Sequence, residues 1–121
     1  MDYCQPNDAY TTTQVVDGYH TGYNAHDGAA MAARVLQNAQ IRVHGGGEIY
    51  PLTPEEVLQT LIGEGFGGGG ATVQVLNRWT EGAYTSDRIY YYVDFDTQQN
   101  FLLVTRVEAG CIAEMDFFYL D

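Results

Sequence analysis

Thr72-Val73-Gln74-Val75-Leu76-Asn77-Arg78-Trp79 sets Val73, Val75, Asn77 and Trp79 on one side of an extended chain and Gln74, Leu76 and Arg78 on the other. This period of two is that of a β-strand. Downstream the pattern persists over residues 88–95, 100–107 and 111–119. The breaks between these segments are turn-like: Glu81-Gly82, Asp96-Thr97-Gln98 and Glu108-Ala109-Gly110. Consecutive strands joined by tight turns predict an antiparallel meander, and neither a βαβ alternation nor an internal repeat is present.

Upstream of Thr72 the period lengthens to that of a helix. Thr11 and Gln14 form a capping box, after which Val15, Val16, Tyr19 and Tyr23 recur at helical spacing. Asn24 and Asp27 end this helix, and Asp27 caps a second one running from Gly28 to about Leu36, with Met31, Ala32, Val35 and Leu36 inward. Residues 40–44 read as a short strand. Thr53-Pro54-Glu55-Glu56 starts a third helix with an N-cap, a proline in the first turn and a capping-box glutamate; its core face is Val57, Leu58, Leu61 and Ile62. Gly63-Glu64-Gly65-Phe66-Gly67-Gly68 matches G-x-G-x-x-G, but it follows a helix and opens a strand, the reverse of a dinucleotide site, so it reads as a flexible connection.

The 121 residues read as a single domain, 1–121, with 45% hydrophobic and 13% aromatic residues, enough to pack a core. A net charge of −11 spread over both halves, with arginine as the only basic residue, argues against nucleic acid or anionic membranes as partners. No lysine is present, so Schiff-base chemistry is excluded, and Ser86 lies outside any G-x-S-x-G elbow. His20 and His26 sit about 240° apart around one helix, which disfavours a three-histidine metal site. No metal and no cofactor are expected. Met1-Asp2-Tyr3-Cys4-Gln5-Pro6 does not resemble a signal peptide, so the expected location is cytoplasmic. Whether Cys4 and Cys111 pair is open from sequence; reduced thiols are the expectation for such a location.

The segments Gly22-Tyr23-Asn24-Ala25-His26-Asp27, Asn38-Ala39-Gln40-Ile41-Arg42-Val43-His44-Gly45-Gly46 and Glu108-Ala109-Gly110-Cys111-Ile112, in that order and spacing, resemble the nuclear transport factor 2-like superfamily, in its SnoaL-like and ketosteroid isomerase-like branch. The resemblance implies an α+β fold, a cone-shaped α+β barrel with N-terminal helices packed on a highly curved antiparallel sheet. It also implies a hydrophobic small-molecule pocket and a homodimer. Tyr19 matches the family's tyrosine on the first helix. Val43 stands where an isomerase carries its carboxylate base, with His44 beside it, and Leu102 stands where the second acid belongs. Arg88-Ile89-Tyr90 breaks the Arg-x-Asp element of the superfamily's epoxide hydrolases, and Phe117 occupies the place of their last-strand aspartate, one residue from Asp116.

The candidate catalytic groups are therefore His44, Tyr19 and Asp116, with Tyr23, Trp79, Tyr91, Leu102, Met115 and Phe117 as candidate ligand contacts. Histidine titrates near neutrality and serves as acid or base; the competing role for His44 is a hydrogen-bonded residue at a strand end. Tyr19 and Tyr23 can bond a ligand or simply the fold. Asp116 is either a buried acid or part of an exposed strand face, and Trp79 either stacks on a ligand or serves the sheet. The expected function is cofactor-independent isomerase, cyclase or dehydratase-type chemistry on a cyclic or polyketide-like compound. The alternative is a non-catalytic ligand-binding or dimerisation module.

Overall fold

The computed structural model describes residues 1–120. Helix α1 (Thr12–Asn24) begins at the predicted capping box: the Thr11 hydroxyl accepts from the Gln14 amide and the Gln14 side chain accepts from the Thr11 amide. Its buried face includes Val15, Val16, Tyr19 and Tyr23. Asp27 caps α2 (Gly28–Ala32), which ends earlier than the periodicity predicts. Val35 and Leu36 instead open strand β1 (Val35–Gly45), twice the expected length. The reason is tertiary: Val35 pairs with Ile112, and its carbonyl accepts from the Cys4 amide at 2.9 Å. The hairpin partner β2 (Glu48–Leu52) follows, a strand with no clear signal of its own.

Thr53 and Glu56 form the second capping box, at the head of α3 (Pro54–Gly63). Leu58 and Leu61 are buried there, whereas Ile62, expected inward, is 45% exposed. The glycine stretch, expected as a connection between α3 and the first long strand, folds into a hydrogen-bonded turn. It forms the single turn α4 (Gly65–Gly68), in which Phe66 adopts the left-handed region at φ 52°. A Cβ on Gly67 would meet the Val93 carbonyl oxygen at 2.1 Å, so only glycine fits this approach. Strands β3 (Thr72–Glu81), β4 (Tyr84–Tyr92), β5 (Gln98–Glu108) and β6 (Cys111–Tyr119) form the expected meander.

The result is an α+β fold with six strands in the order β2-β1-β6-β5-β4-β3, antiparallel except for β1 against β6. The sheet does not close, and β2 and β3 are its edges. Helix α1 touches β3 through β6 while α3 touches β1, so the helical layer lies across almost the whole inner face. The core is formed where Val16, Tyr23, Met31, Ile89, Leu103 and Met115 meet. Among the described residues no helix is long and apolar enough to cross a membrane.

Two features correct or extend the sequence reading. Cys4 and Cys111 are joined by a disulfide, not held as thiols, because the N-terminal arm lies along the β5–β6 turn and brings their Cα atoms to 5.9 Å. Between α1 and the β3–β4 hairpin lies a buried charge. Asp87, 0% exposed, accepts from Arg78 Nε at 2.7 Å and Nη2 at 2.8 Å, and Arg78 Nη1 also reaches Asp17 on α1. His20 is buried beside this group, and its Nδ1 has no hydrogen-bond partner among the described residues.

Candidate functional site

The inner face of the sheet is set by strand parity. Ile41 and Val43 of β1, Tyr91 of β4, Phe101 of β5 and Phe117 and Tyr119 of β6 point toward the helices, where Tyr19 of α1 and Val57 of α3 meet them. With Leu52 and Gln99 they line a partly open cavity of about 160 Å³. Its aromatic wall is packed edge to face: Phe101 and Phe117 are 5.5 Å apart between ring centroids, and each lies 6.0 Å from Tyr91.

Hydroxyls are the pocket's main polar groups besides Gln99. Tyr19 is 6% exposed, burial pushes its pKa well above the ordinary value, and no described residue hydrogen-bonds to its hydroxyl. Tyr91 is likewise pushed up by burial and stands 4.9 Å, centroid to centroid, from Tyr23. Tyr23 itself lies behind the lining. Its hydroxyl donates to the Tyr92 carbonyl at 2.7 Å, and burial pushes its pKa up to about 12. At neutral pH all three phenols are protonated and can only donate or accept hydrogen bonds. Among the described residues none that lines the cavity is a carboxylate, histidine, lysine or arginine.

His44 and Asp116 are not in this pocket. Successive residues of a strand face opposite sides, so the inward Val43 and Phe117 send both of them to the outer face of the sheet. There His44 Nε2 lies 2.8 Å from Asp116 Oδ1, and the His44 ring stacks on Phe118 at 4.2 Å. Asp116 also accepts from Arg42 Nε at 2.7 Å and Nη2 at 3.0 Å, and this arginine, with a smaller contribution from His44, holds its carboxyl below the usual range. Glu114 bridges Arg42 and Arg106 on the same face, at 2.9 Å and 3.0 Å. The expected catalytic trio is therefore split, with Tyr19 inside and the His44–Asp116 pair outside.

The candidate contacts divide in the same way. Tyr91 and Phe117 line the cavity. Met115 is fully buried in the core without reaching it. Leu102 opposes Phe118 on the outer face, and Trp79 is 71% exposed on the edge strand β3, so neither contacts the pocket. Ile41, Leu52, Val57, Gln99, Phe101 and Tyr119 also line the cavity, although sequence reasoning did not point to them. The alternation Ile41-Arg42-Val43-His44 carried the signal for Ile41, whereas Leu52, Val57 and Gln99 arrive through β2, α3 and the start of β5 with no local mark. Among the described residues no group of three or more His, Cys, Asp or Glu is arranged to hold a metal ion.

No protein-family model matches the sequence, and no curated protein matches it either. Solved structures do match the fold. A candidate ketosteroid isomerase from Kribbella flavida superposes with a TM-score of 0.72 at 13% identity, over 91% of this chain and 78% of that one. An NTF2-like protein of unknown function from Cytophaga hutchinsonii gives 0.74 at 14% identity, over 91% and 90%. IdmH from Streptomyces antibioticus, a candidate polyketide cyclase, gives 0.71 at 16% identity, over 89% and 91%. At these identities the likeness is one of fold, and the chain has the nuclear transport factor 2-like α+β fold.

Proposed function

We propose that this protein binds an uncharged organic ring compound in the Tyr19 cavity and does not catalyse a reaction on it. The observation that carries this reading is the hydroxyl of the buried Tyr19, which has no hydrogen-bond partner among the described residues and faces a mostly apolar wall. A buried phenol of this kind is satisfied by a ligand acceptor such as a carbonyl or ether oxygen. An apolar cavity of about 150 Å³ admits a benzene-sized molecule, so the volume here suits a single ring with small substituents. A charged ligand would enter without a counter-charge and lose its hydration, which is costly.

Proton-transfer chemistry needs a base within reach of the substrate, and the position of a family base is held by Val43, part of the apolar wall. Two similar structures are named as a candidate ketosteroid isomerase and a candidate polyketide cyclase, names that agree with a ring-shaped ligand. Acetophenone serves as a probe. Tyr19→Phe is expected to weaken its binding about tenfold, the worth of one hydrogen bond to a desolvated partner, while His44→Gln leaves the affinity unchanged. Equal affinities for Tyr19→Phe and the parent, or a loss in His44→Gln, would refute the assignment.

The partner for the outer face is a second copy of this chain. Leu102, Val104 and Phe118 form a half-buried apolar strip there beside the Arg42, Arg106, Glu114 and Asp116 pairs, a surface that can complement itself across a two-fold axis. Sedimentation equilibrium is expected to show a dimer that Leu102→Glu converts to a monomer; a parent chain that stays monomeric at high concentration rejects it. The disulfide favours maturation where thiols are oxidised over the cytoplasmic location expected from the sequence. Free-thiol titration of protein recovered from its native source decides this, with two reactive thiols per unfolded chain as the contrary result.

A further inference from the structure

The sheet has two edges, and they differ in exposure to unwanted pairing. Strand β2 is only five residues long and contains Pro51, both of which discourage an added strand. Strand β3 has ten residues, contains no proline, and belongs to a chain without lysine, the residue most used to blunt an edge. The one arginine in β3, Arg78, is turned inward onto Asp87. A strand of this kind invites pairing with another chain unless its outward N–H and C=O groups are occupied.

These groups are occupied where the strand begins. In an antiparallel ladder alternate residues turn both backbone groups away from the neighbour. Where β3 begins these are Val73 and, just before the strand, Ala71. The Val73 amide donates to Asn24 Oδ1 at 2.7 Å, and Asn24 Nδ2 donates to the Val73 carbonyl at 3.0 Å. The Ala71 amide donates to the Phe66 carbonyl at 3.0 Å, and His26 Nε2 donates to the Ala71 carbonyl at 2.7 Å. All four outward groups are thus taken by residues that are not strands.

The segments that supply these partners bear the backbone cost of doing so. Among the described residues, His26 and Phe66 are two of the three non-glycine residues with positive φ, at 56° and 52°, and their rings stack at 5.3 Å. The helix exit Asn24-Ala25-His26 and the glycine-rich turn around Phe66 thereby converge on one stretch of backbone. Beyond it, a register shift between Val75 and Asn77 interrupts the ladder.

We infer that Asn24, His26 and the Phe66 turn form a guard that closes the start of the β3 edge, at Ala71 and Val73, and prevents the chain from adding strands of other copies there. This assigns the helix-exit residues an anti-association role and no part in ligand chemistry. Removing the guard opens four backbone groups contiguous with Val75, whose side chain is itself exposed.

Two measurements test it. In the unmodified protein the Val73 amide is expected to exchange at least about tenfold more slowly than the Val75 amide, although both lie on the same free edge; equal rates overturn the guard. In Asn24→Ala, analytical ultracentrifugation is expected to show concentration-dependent growth beyond the parent's own oligomeric state. Adding Gln74→Lys, which places a charge on the exposed face of β3, is expected to reverse it. An Asn24→Ala protein that folds and keeps the parent's state at all concentrations overturns the inference. If that variant does not fold, the amide exchange rates of the unmodified chain decide between the two outcomes.

Discussion

Reducing the Cys4–Cys111 disulfide is expected to lower the unfolding free energy by about 4 to 5 kcal/mol, because it releases a loop of roughly a hundred residues in the unfolded chain. The two cysteines are 107 positions apart, so the bond cross-links almost the full length of the sequence. The native state around it is well built for the link. The Cys4 amide donates to the Val35 carbonyl and the Asn7 amide to the Ala109 carbonyl at 2.7 Å. Gly110 sits at φ 77°, where a Cβ would meet the Asn7 carbonyl oxygen at 2.2 Å. The bond therefore holds the N-terminal arm, the start of β1 and the β5–β6 turn as one unit. Urea unfolding with and without a phosphine reductant measures the effect. A double Cys4→Ala, Cys111→Ala variant should match the reduced protein, apart from a small packing loss at the fully buried Cys111. A midpoint unmoved by reduction would mean that the bond contributes nothing.

Asp87→Ala is expected to cost about 3 to 5 kcal/mol, since it leaves the Arg78 guanidinium in a mostly buried position without its main partner. Asp17 also pairs with Arg78, but its side chain is 57% exposed, and Asp17→Ala should change stability by about 0.5 kcal/mol or less. The contrast isolates burial as the cause, because the two carboxylates share one arginine. The same cluster makes the fold acid-sensitive. Burial lowers the His20 pKa from 6.5 to about 4, against the opposing pull of Asp87, so the folded state holds His20 neutral. A depressed histidine pKa means that the unfolded chain binds the proton more tightly. Its stabilising contribution is complete above pH 6.5 and is lost as the pH falls toward 4. Thermal melts at pH 7 and pH 4.5 are expected to differ, and His20→Phe should narrow that difference. A His20→Phe protein with the parent's full acid sensitivity would place the effect elsewhere.

Helix starts were legible in the sequence because capping is local. Thr11 with Gln14 and Thr53 with Glu56 each satisfy their own first turn, and both boxes are found where the sequence predicts them. The end of α2 was not legible, because Val35 belongs to a strand only through Ile112 at the far end of the chain. Periodicity within a window cannot register that partner. The disulfide was hidden for the same reason, since its two cysteines come together only when the β5–β6 turn is formed.

The pocket was partly legible. Tyr19, Tyr91 and Phe117 were found through helix spacing, strand alternation and family likeness. His44 and Asp116 were misplaced although the sequence carried the contrary signal. Ile41-Arg42-Val43-His44 alternates apolar and polar residues, and the apolar pair owns the inner face. Family likeness drew attention to the neighbourhood of Val43, while the physics of the strand put its neighbour on the other side of the sheet. The role of Asn24 and His26 was invisible because the backbone groups they occupy, at the head of β3, lie past three more helices and two strands.

The central claim is that ligand binding belongs to the Tyr19 cavity and not to the polar outer face. Titrating methyl-labelled protein with acetophenone and recording chemical shifts tests it directly. The account predicts saturable shifts at the methyls of Ile41, Val43, Leu52 and Val57, with Leu102 and Val104 unmoved. Saturable shifts at Leu102 and Val104 with a silent cavity, or no saturable shift at all, would contradict it.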